Sequence, residues 1–377
     1  MSIERLADLA DLATCPRVVL KVGSALLVGG DGQANRAWLA SLTGEIAAAV
    51  ERGQQVIVVS SGAIALGAAR LGLPKGGRGS LADAQAAAAV GQITLAGLWS
   101  ELLAAHGLTA AQLLLTLDDL EDRRRYLNAA ATLGRLLTAG AVPVINENDS
   151  VATAEIRFGD NDRLAARVAQ AAHAQAVVLL SDVDGLYDRD PRSQGAALIA
   201  RVEGVTETVH AMASGASGSG LGSGGMTSKL QAAKIATRAG ITLAIVNGSH
   251  DAPLTHALGR DVGTLFVPTR RDKARKAWLG GRQRLRGTLT VDAGCARALL
   301  KGGSLLASGI TAVTGEFVRG DPIGVVDSDG KTVAQGLAEY HASEIAVLKG
   351  RRSEEHTALL GYAPRSAVIH RDQLVLV

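Results

Sequence analysis

Two lysines stand out by type and surroundings. The chain holds nine lysines against thirty arginines, yet lysine occupies both glycine-flanked basic positions, Lys21 and Lys229. Lys21 lies near the end of the apolar run 17–22 and is followed by Gly23 and Ser24. Lys229 closes a stretch, 215–229, that is dense in glycine and carries the hydroxyls of Ser217, Ser219, Ser223, Thr227 and Ser228. Leu230, Ala233, Ile235, Ala236 and Ala239 then repeat at helical steps. A glycine-rich segment running into a helix offers bare backbone N–H groups and a positive dipole end to a phosphate. An ammonium group adds a compact point charge that can follow it. Read alone, the stretch is equally a flexible Gly/Ser linker, and it does not have the spacing of a Walker A loop. Lys21 is either an edge residue snorkelling to water or a functional charge at the C-terminal end of a strand, where open α/β sheets bind ligands.

Polar clusters recur at similar places. Ser60-Ser61-Gly62, Asn146-Glu147-Asn148-Asp149, Ser181-Asp182 and Asn247-Gly248 each follow a short apolar run, and Gly159-Asp160-Asn161-Asp162 opens a helical pattern. Each has a structural explanation, since Ser, Asn and Asp cap helices and acids suit a first helical turn. Strands are expected at 17–22, 55–60, 112–116, 141–146, 176–180 and 241–246, and helices at 35–52, 81–106, 122–138 and 163–172. Alternation of this kind predicts an α/β fold with a mainly parallel sheet covered on both faces by helices. Five of the six strands end in a Gly/Ser/Asn/Asp cluster, and those ends would gather along one sheet edge.

A chain of 377 residues with 47% hydrophobic and 20% charged residues can bury a sizeable core. Aromatics are only 3%, so that core must be built from Ala, Leu, Val and Ile. A net charge of +3 is too small to argue for a nucleic-acid or membrane partner across the whole molecule. Cys15 and Cys295 form no metal or redox motif, which fits a reducing compartment. The acids at Glu4, Asp8 and Asp11 argue against a signal peptide, and no run is read as approaching the ~18 apolar residues of a membrane span, so a cytoplasmic protein is expected. Composition shifts near Val267. We divide the chain into 1–267, a basic linker at 268–286, and a small β-rich domain at 287–377 with a helix near 292–301 and a hairpin turn at Asp329-Gly330. The linker carries Arg270, Arg271, Lys273, Arg275, Lys276, Arg282, Arg284 and Arg286 against one acid, Asp272. It reads as a solvated linker or an interface, with a nucleic-acid patch as the minority alternative.

Taken together, Val18-Val19-Leu20-Lys21-Val22-Gly23-Ser24, Ser60-Ser61-Gly62-Ala63-Ile64, the block 142–149, Gly159-Asp160-Asn161-Asp162, Ser181-Asp182 with Gly185-Leu186-Tyr187, and the stretch 220–229 resemble the glutamate 5-kinases of the amino-acid kinase superfamily. They stand in that family's order, with one departure: Ser24 where threonine is expected, which keeps the hydroxyl. The C-terminal piece is similar to a PUA domain. The resemblance implies ATP-dependent phosphorylation of the γ-carboxylate of L-glutamate, with Mg²⁺, as the first step of proline synthesis. It assigns Lys21, Asp162 and Lys229 to catalysis, the lysines stabilising the transition state and Asp162 holding them. It places the amino acid against Ser61, Gly62, Asn146, Asp149 and Asn161, with Asp149 suited to the α-ammonium and Asn161 to a carboxylate or amide-type contact. It places ATP against Lys21, Ser181, Asp182, Ser223, Gly224, Gly225, Met226, Thr227, Ser228 and Lys229. Mg²⁺ would take most of its ligands from ATP and water, with Asp160 an outer contributor and no protein ligand assigned. The resemblance further implies inhibition by proline, a homo-oligomer (dimer or tetramer), hand-over of product to glutamate-5-semialdehyde dehydrogenase and RNA binding by the PUA-like domain as an alternative role. The segment 215–222 is expected to order when nucleotide arrives.

The implied chemistry is consistent with these residues. A carboxylate with a pKa of about 4.3 is already ionised at neutral pH, so no general base is needed. The obstacle is repulsion between an anionic nucleophile and a polyanion, which positioning and positive charge must overcome.

Overall fold

The computed structural model describes residues 2–151, 160–215, 223–268, 285–362, 365 and 367–376. Residues 216–222 of the glycine stretch, expected to order with nucleotide, the basic residues at 269–284 and the side chains of Asp160, Ser223 and Gly224 lie outside the described residues. The chain separates into an N-terminal unit holding an eight-stranded sheet and a C-terminal unit holding a five-stranded one.

The N-terminal unit runs β1 (Arg17–Val22), α1 (Ser24–Leu27), α2 (Arg36–Glu51), β2 (Gln55–Val59), α3 (Ala63–Leu71), α4 (Leu81–Ala104), β3 (Ala110–Leu115), α5 (Leu117–Glu121), α6 (Arg123–Thr138), β4 (Val142–Glu147), α7 (Asp160–Ala171), β5 (Ala176–Ser181), β6 (Arg201–Glu203), α8 (Glu207–Gly215), α9 (Ser223–Arg238), β7 (Thr242–Asn247), α10 (Pro253–Arg260) and β8 (Thr264–Val267). Strand order is β3-β4-β2-β1-β5-β7-β8-β6, and every pair is parallel except β7 with β8. Of the apolar runs that read as strands, those of β1, β2, β4, β5 and β7 are largely buried on both faces, with all six residues of β5 buried, whereas β3 at the sheet edge is partly exposed. The short strands β6, at the sheet edge, and β8, beside it, were not among the expected elements: three and four residues give too little pattern to read.

Small residues replace aromatics in this core. A Cβ added to Gly67 would lie 1.8 Å from the Ala87 carbonyl oxygen, and one added to Gly91 would lie 1.8 Å from that of Ala63. α3 and α4 therefore cross backbone to backbone, with Ala63, Ala84, Ala87 and Ala88 buried around the crossing. The sequence expectation of no span-length apolar run needs correcting, because the 24-residue α4 is long and apolar enough for one. Its apolarity comes from the alanines that pack it against α3 and from Leu95, Leu98, Trp99 and Leu103, which enter the main core. The buried Trp38 and Trp99 tie helices to strand ends, donating to Gly248 O at 2.7 Å and to Ser60 Oγ at 2.9 Å.

The C-terminal unit comprises β9 (Gly287–Val291), α11 (Ala293–Leu300), β10 (Ile310–Gly315), β11 (Pro322–Val326), β12 (Thr332–Leu337), α12 (Ala342–Leu348), α13 (His356–Leu360) and β13 (Leu374–Leu376). The sheet order is β10-β9-β11-β12-β13, with β9 and β11 parallel and the other pairs antiparallel. Asp329-Gly330 makes the β11–β12 turn, with Gly330 at φ +79°. The apolar run 367–370 does not form a ladder strand. Ile369 makes one bridge to Leu305, and Leu374–Leu376 closes the sheet instead. Leu289, Val291, Ile323, Val325 and Ile345 anchor a separate apolar core.

Candidate active site

β1 lies between β2 and β5, with Lys21 paired to Val59 on one side and Leu179 on the other. From β1 the chain's strands run outward in both directions, so a crevice forms at the C-terminal ends where the order reverses. Lys21 reaches that crevice from β1, Asp162 from the first turn of α7 and Lys229 from the second turn of α9.

These three form one ionic group. Lys21 Nζ lies 2.7 Å from Asp162 Oδ1, and Lys229 Nζ lies 3.4 Å from Asp162 Oδ2. The longer contact is also a hydrogen bond, whereas the shorter is a close ion pair off a hydrogen bond's line. Asp162 is 1% exposed. Burying such charges costs several kcal/mol each unless they are paired. One carboxylate between two ammonium groups leaves a net charge of +1, presented to the cavity that all three residues line.

The same cavity gathers most of the residues expected from sequence. Ser61 and Gly62 follow β2, with Gly62 in the left-handed region at φ +99° as it turns into α3. Asn146 ends β4 and Asp149 lies in the turn beyond it. Asn161 lies beside Asp162, and Ser181 and Asp182 follow β5. Ser181 Oγ donates to Asp182 Oδ1 at 3.1 Å.

The glycine stretch needs a correction. Its described part, Ser223 onward, is already helical, so the helix starts well before the apolar repeat. Only one face of a helix can meet a cavity, and positions four apart share it. Gly225 and Lys229 line the cavity, while Met226, Thr227 and Ser228 do not.

Behind the wall lies a chain of side-chain amides. Gln92 Oε1, from α4, accepts from Asn146 Nδ2 at 2.8 Å. Asn146 Oδ1 accepts from the Glu147 backbone N–H at 2.9 Å and from Asn161 Nδ2 at 3.1 Å. Asn161 Nδ2 also reaches Ser60 O at 3.1 Å and Ser61 Oγ at 2.8 Å. Asn161 Oδ1 is buried with no hydrogen-bond partner among the described residues. The group of Asn161 left without a partner is thus its buried carbonyl, which can accept from a donor such as an ammonium.

Two residues of this region were not singled out from the sequence. Arg78 lines the cavity, following a turn in which Lys75, Gly76 and Gly77 all have positive φ. Burial pushes its guanidinium below the ordinary value, and the Asp149 carboxylate opposes that shift. Gln92 is a polar residue in an alanine-rich helix, and that contrast was its one signal. Among the described residues, no cluster of three or more His, Cys, Asp or Glu is arranged to hold a metal ion.

Residues 16–247 match the family model described as the amino acid kinase family, and residues 287–360 match that of the PUA domain. The chain is 69% identical over 377 residues to a protein of Novosphingobium aromaticivorans named glutamate 5-kinase, covering 100% of each. Proteins of the same name from Sphingopyxis alaskensis and Zymomonas mobilis are 60% and 54% identical. Those matches cover 97% and 96% of this chain and 98% and 92% of theirs.

Proposed function

The chain belongs to the glutamate 5-kinases of the amino acid kinase family and is a kinase with a C-terminal PUA domain, and on that premise we propose that it transfers the γ-phosphoryl group of ATP to the γ-carboxylate of L-glutamate. A carboxylate oxygen attacks the γ-phosphorus, the bond to the β,γ-bridging oxygen breaks, and γ-glutamyl phosphate and ADP result. The carboxylate enters ionised and no proton moves. The observation that carries this reading is the Lys21–Asp162–Lys229 group in the cavity wall.

In this reading Lys21 and Lys229 are the catalytic residues. Their ammonium groups meet the charge that develops on the transferring group and its leaving oxygen. Asp162 holds both at one place, and its two oxygens are each taken by a lysine. A magnesium ion would then be held chiefly by ATP oxygens and water, supplying further positive charge at the phosphates. Ser61, Gly62, Asn146, Asp149 and Asn161 hold glutamate, with its α-ammonium between the Asp149 carboxylate and the open Asn161 carbonyl. Ser181 and Asp182 take the adenosine side, and Gly225 and Lys229 the phosphates, together with the outlying Ser223 and Gly224. Met226, Thr227 and Ser228, from the same helical turns, are not among the residues lining the cavity.

We place the reaction in proline synthesis, in the cytoplasm, with the product passed to glutamate-5-semialdehyde dehydrogenase and the chain working as a homo-oligomer. Residues 1–267 carry the chemistry, 268–286 link, and 287–377 form the PUA-like domain. Proline has the shape of a cyclised glutamate and would inhibit from the amino-acid end of the cavity.

The test is acyl phosphate trapping. With ATP, Mg²⁺ and hydroxylamine, glutamate should yield hydroxamate while aspartate and N-acetylglutamate yield little. Hydroxamate from either of those and none from glutamate would move the assignment to a sister kinase.

A further inference from the structure

Gln92 touches no ligand position in the cavity wall, yet it terminates the amide chain that does. The polarity of that chain is fixed at two points by backbone groups, which have only one sense. The Glu147 N–H must meet an acceptor, so Asn146 turns Oδ1 toward it at 2.9 Å. The Ser60 carbonyl must meet a donor, so Asn161 turns Nδ2 toward it at 3.1 Å. Asn146 Nδ2 is then forced outward, and because Asn146 is only 2% exposed, water cannot freely serve it there. Gln92 Oε1 supplies the acceptor at 2.8 Å.

The delivery of Gln92 is built into the packing. It follows Gly91, whose missing Cβ lets α4 meet the Ala63 backbone directly. A second cavity opens on the far side of the network, lined by Gln92, Glu147, Asn148 and Asp149. Without an acceptor at position 92, Asn146 has a reason to swing toward that space, because a buried unpaired N–H costs more than a remade bond. Asn161 Nδ2 would then lose one of its three oxygen neighbours, and its orphaned Oδ1 would no longer be held toward the substrate.

We infer that Gln92 is a positioning residue that, through Asn146, holds the Asn161 carbonyl ready for the α-ammonium of the substrate, so that this amide chain makes the site select an amino acid over a plain dicarboxylate. The inference rests on the glutamate reading above and adds a residue and a selection rule to it.

The experiment uses the full chain and compares glutamate with glutarate, which has both carboxylates and no amino group. In the wild type, KM for glutamate should lie well below the inhibition constant of glutarate. Gln92→Met keeps the side chain's length and removes the acceptor. It should raise KM for glutamate about tenfold, leave KM for ATP and the glutarate constant within twofold, and change kcat little. Gln92→Glu restores an acceptor and should return KM for glutamate to within threefold of wild type. If the methionine variant does not fold, Gln92→Leu, which also lacks an acceptor, carries the same comparison. An unchanged glutamate KM in the methionine variant, equal losses for glutamate and glutarate, or a glutamic acid variant as impaired as the methionine one would each overturn the inference. A wild-type chain inactive on glutamate would instead refute the function reading.

Discussion

Asp162 holds two ammonium groups with one buried carboxylate, and this fixes what its removal should do. In Asp162→Asn, Lys21 and Lys229 would face each other without a counter-charge, their side chains only 9% and 12% exposed. Breaking a buried pair in this way costs roughly 3 kcal/mol or more. The variant should lose both stability, read by urea unfolding, and at least about a hundredfold in kcat. Lys229→Met behaves differently, because it leaves the Lys21–Asp162 pair intact. It should lose turnover to a similar extent while its unfolding midpoint moves far less. Near-wild-type turnover in Lys229→Met would remove that lysine from the mechanism. At this scale the sequence was informative where chemistry forces an unusual residue type, as at Lys21, Asp162 and Lys229. It was silent on Arg78 and marked Gln92 only by its polarity within an alanine-rich helix. An arginine after a turn and a glutamine in a helix are ordinary in sequence, and only the tertiary approach of Asp149 and Asn146 gives them partners.

The elements are positioned by close backbone packing, above all where α3 meets α4. Gly67→Ala or Gly91→Ala would place a methyl group 1.8 Å from a carbonyl oxygen, a distance no rotamer can relieve. The helices would have to part, and since α3 starts from Gly62 and α4 carries Gln92, the cavity would deform with them. Each substitution should cost about 3 kcal/mol or more by chemical unfolding. Gly97→Ala is the control on the same helix. Nothing lies within 4 Å of its added Cβ, so it should stabilise by ~0.5–1 kcal/mol through helix propensity. Equal effects at positions 91 and 97 would mean that the crossing is not tight. The periodicity of α4 gave its existence and near-correct ends, but not this crossing, because Ala and Gly look alike in a hydrophobic pattern whether they touch a neighbour or face water. The start of α9 was misjudged for a related reason. Glycines and serines have low helix propensity, and in Ser223–Arg238 tertiary placement overrides it.

Across the whole molecule, the strand order decides where ligands act. The central strands β1, β2, β4 and β5 were legible because parallel strands buried on both faces are continuous apolar runs, and their polar ends marked one edge. The short strands β6, β8 and β13 were not, having too few residues to carry a period. All described residues that line the cavity holding Lys21, Asp162 and Lys229 lie within 21–229, while the C-terminal sheet closes on a core of its own around Leu289, Val325 and Ile345. Ligands held at the cavity suppress openings that expose it, by an amount set by occupancy. At 100 times the dissociation constant, the stabilisation is about 2.7 kcal/mol, or roughly a hundredfold slower exchange for amides released only by such openings. Hydrogen exchange on the full chain, with glutamate and a non-hydrolysable ATP analogue together, should therefore slow amides at the ends of β1, β2, β4 and β5 and in the first turns of α7 and α9. The amides of β9, β11 and β12 should keep their rates. Equal protection of both sheets, or protection confined to the C-terminal one, would place the ligands elsewhere than the crevice where the strand order reverses.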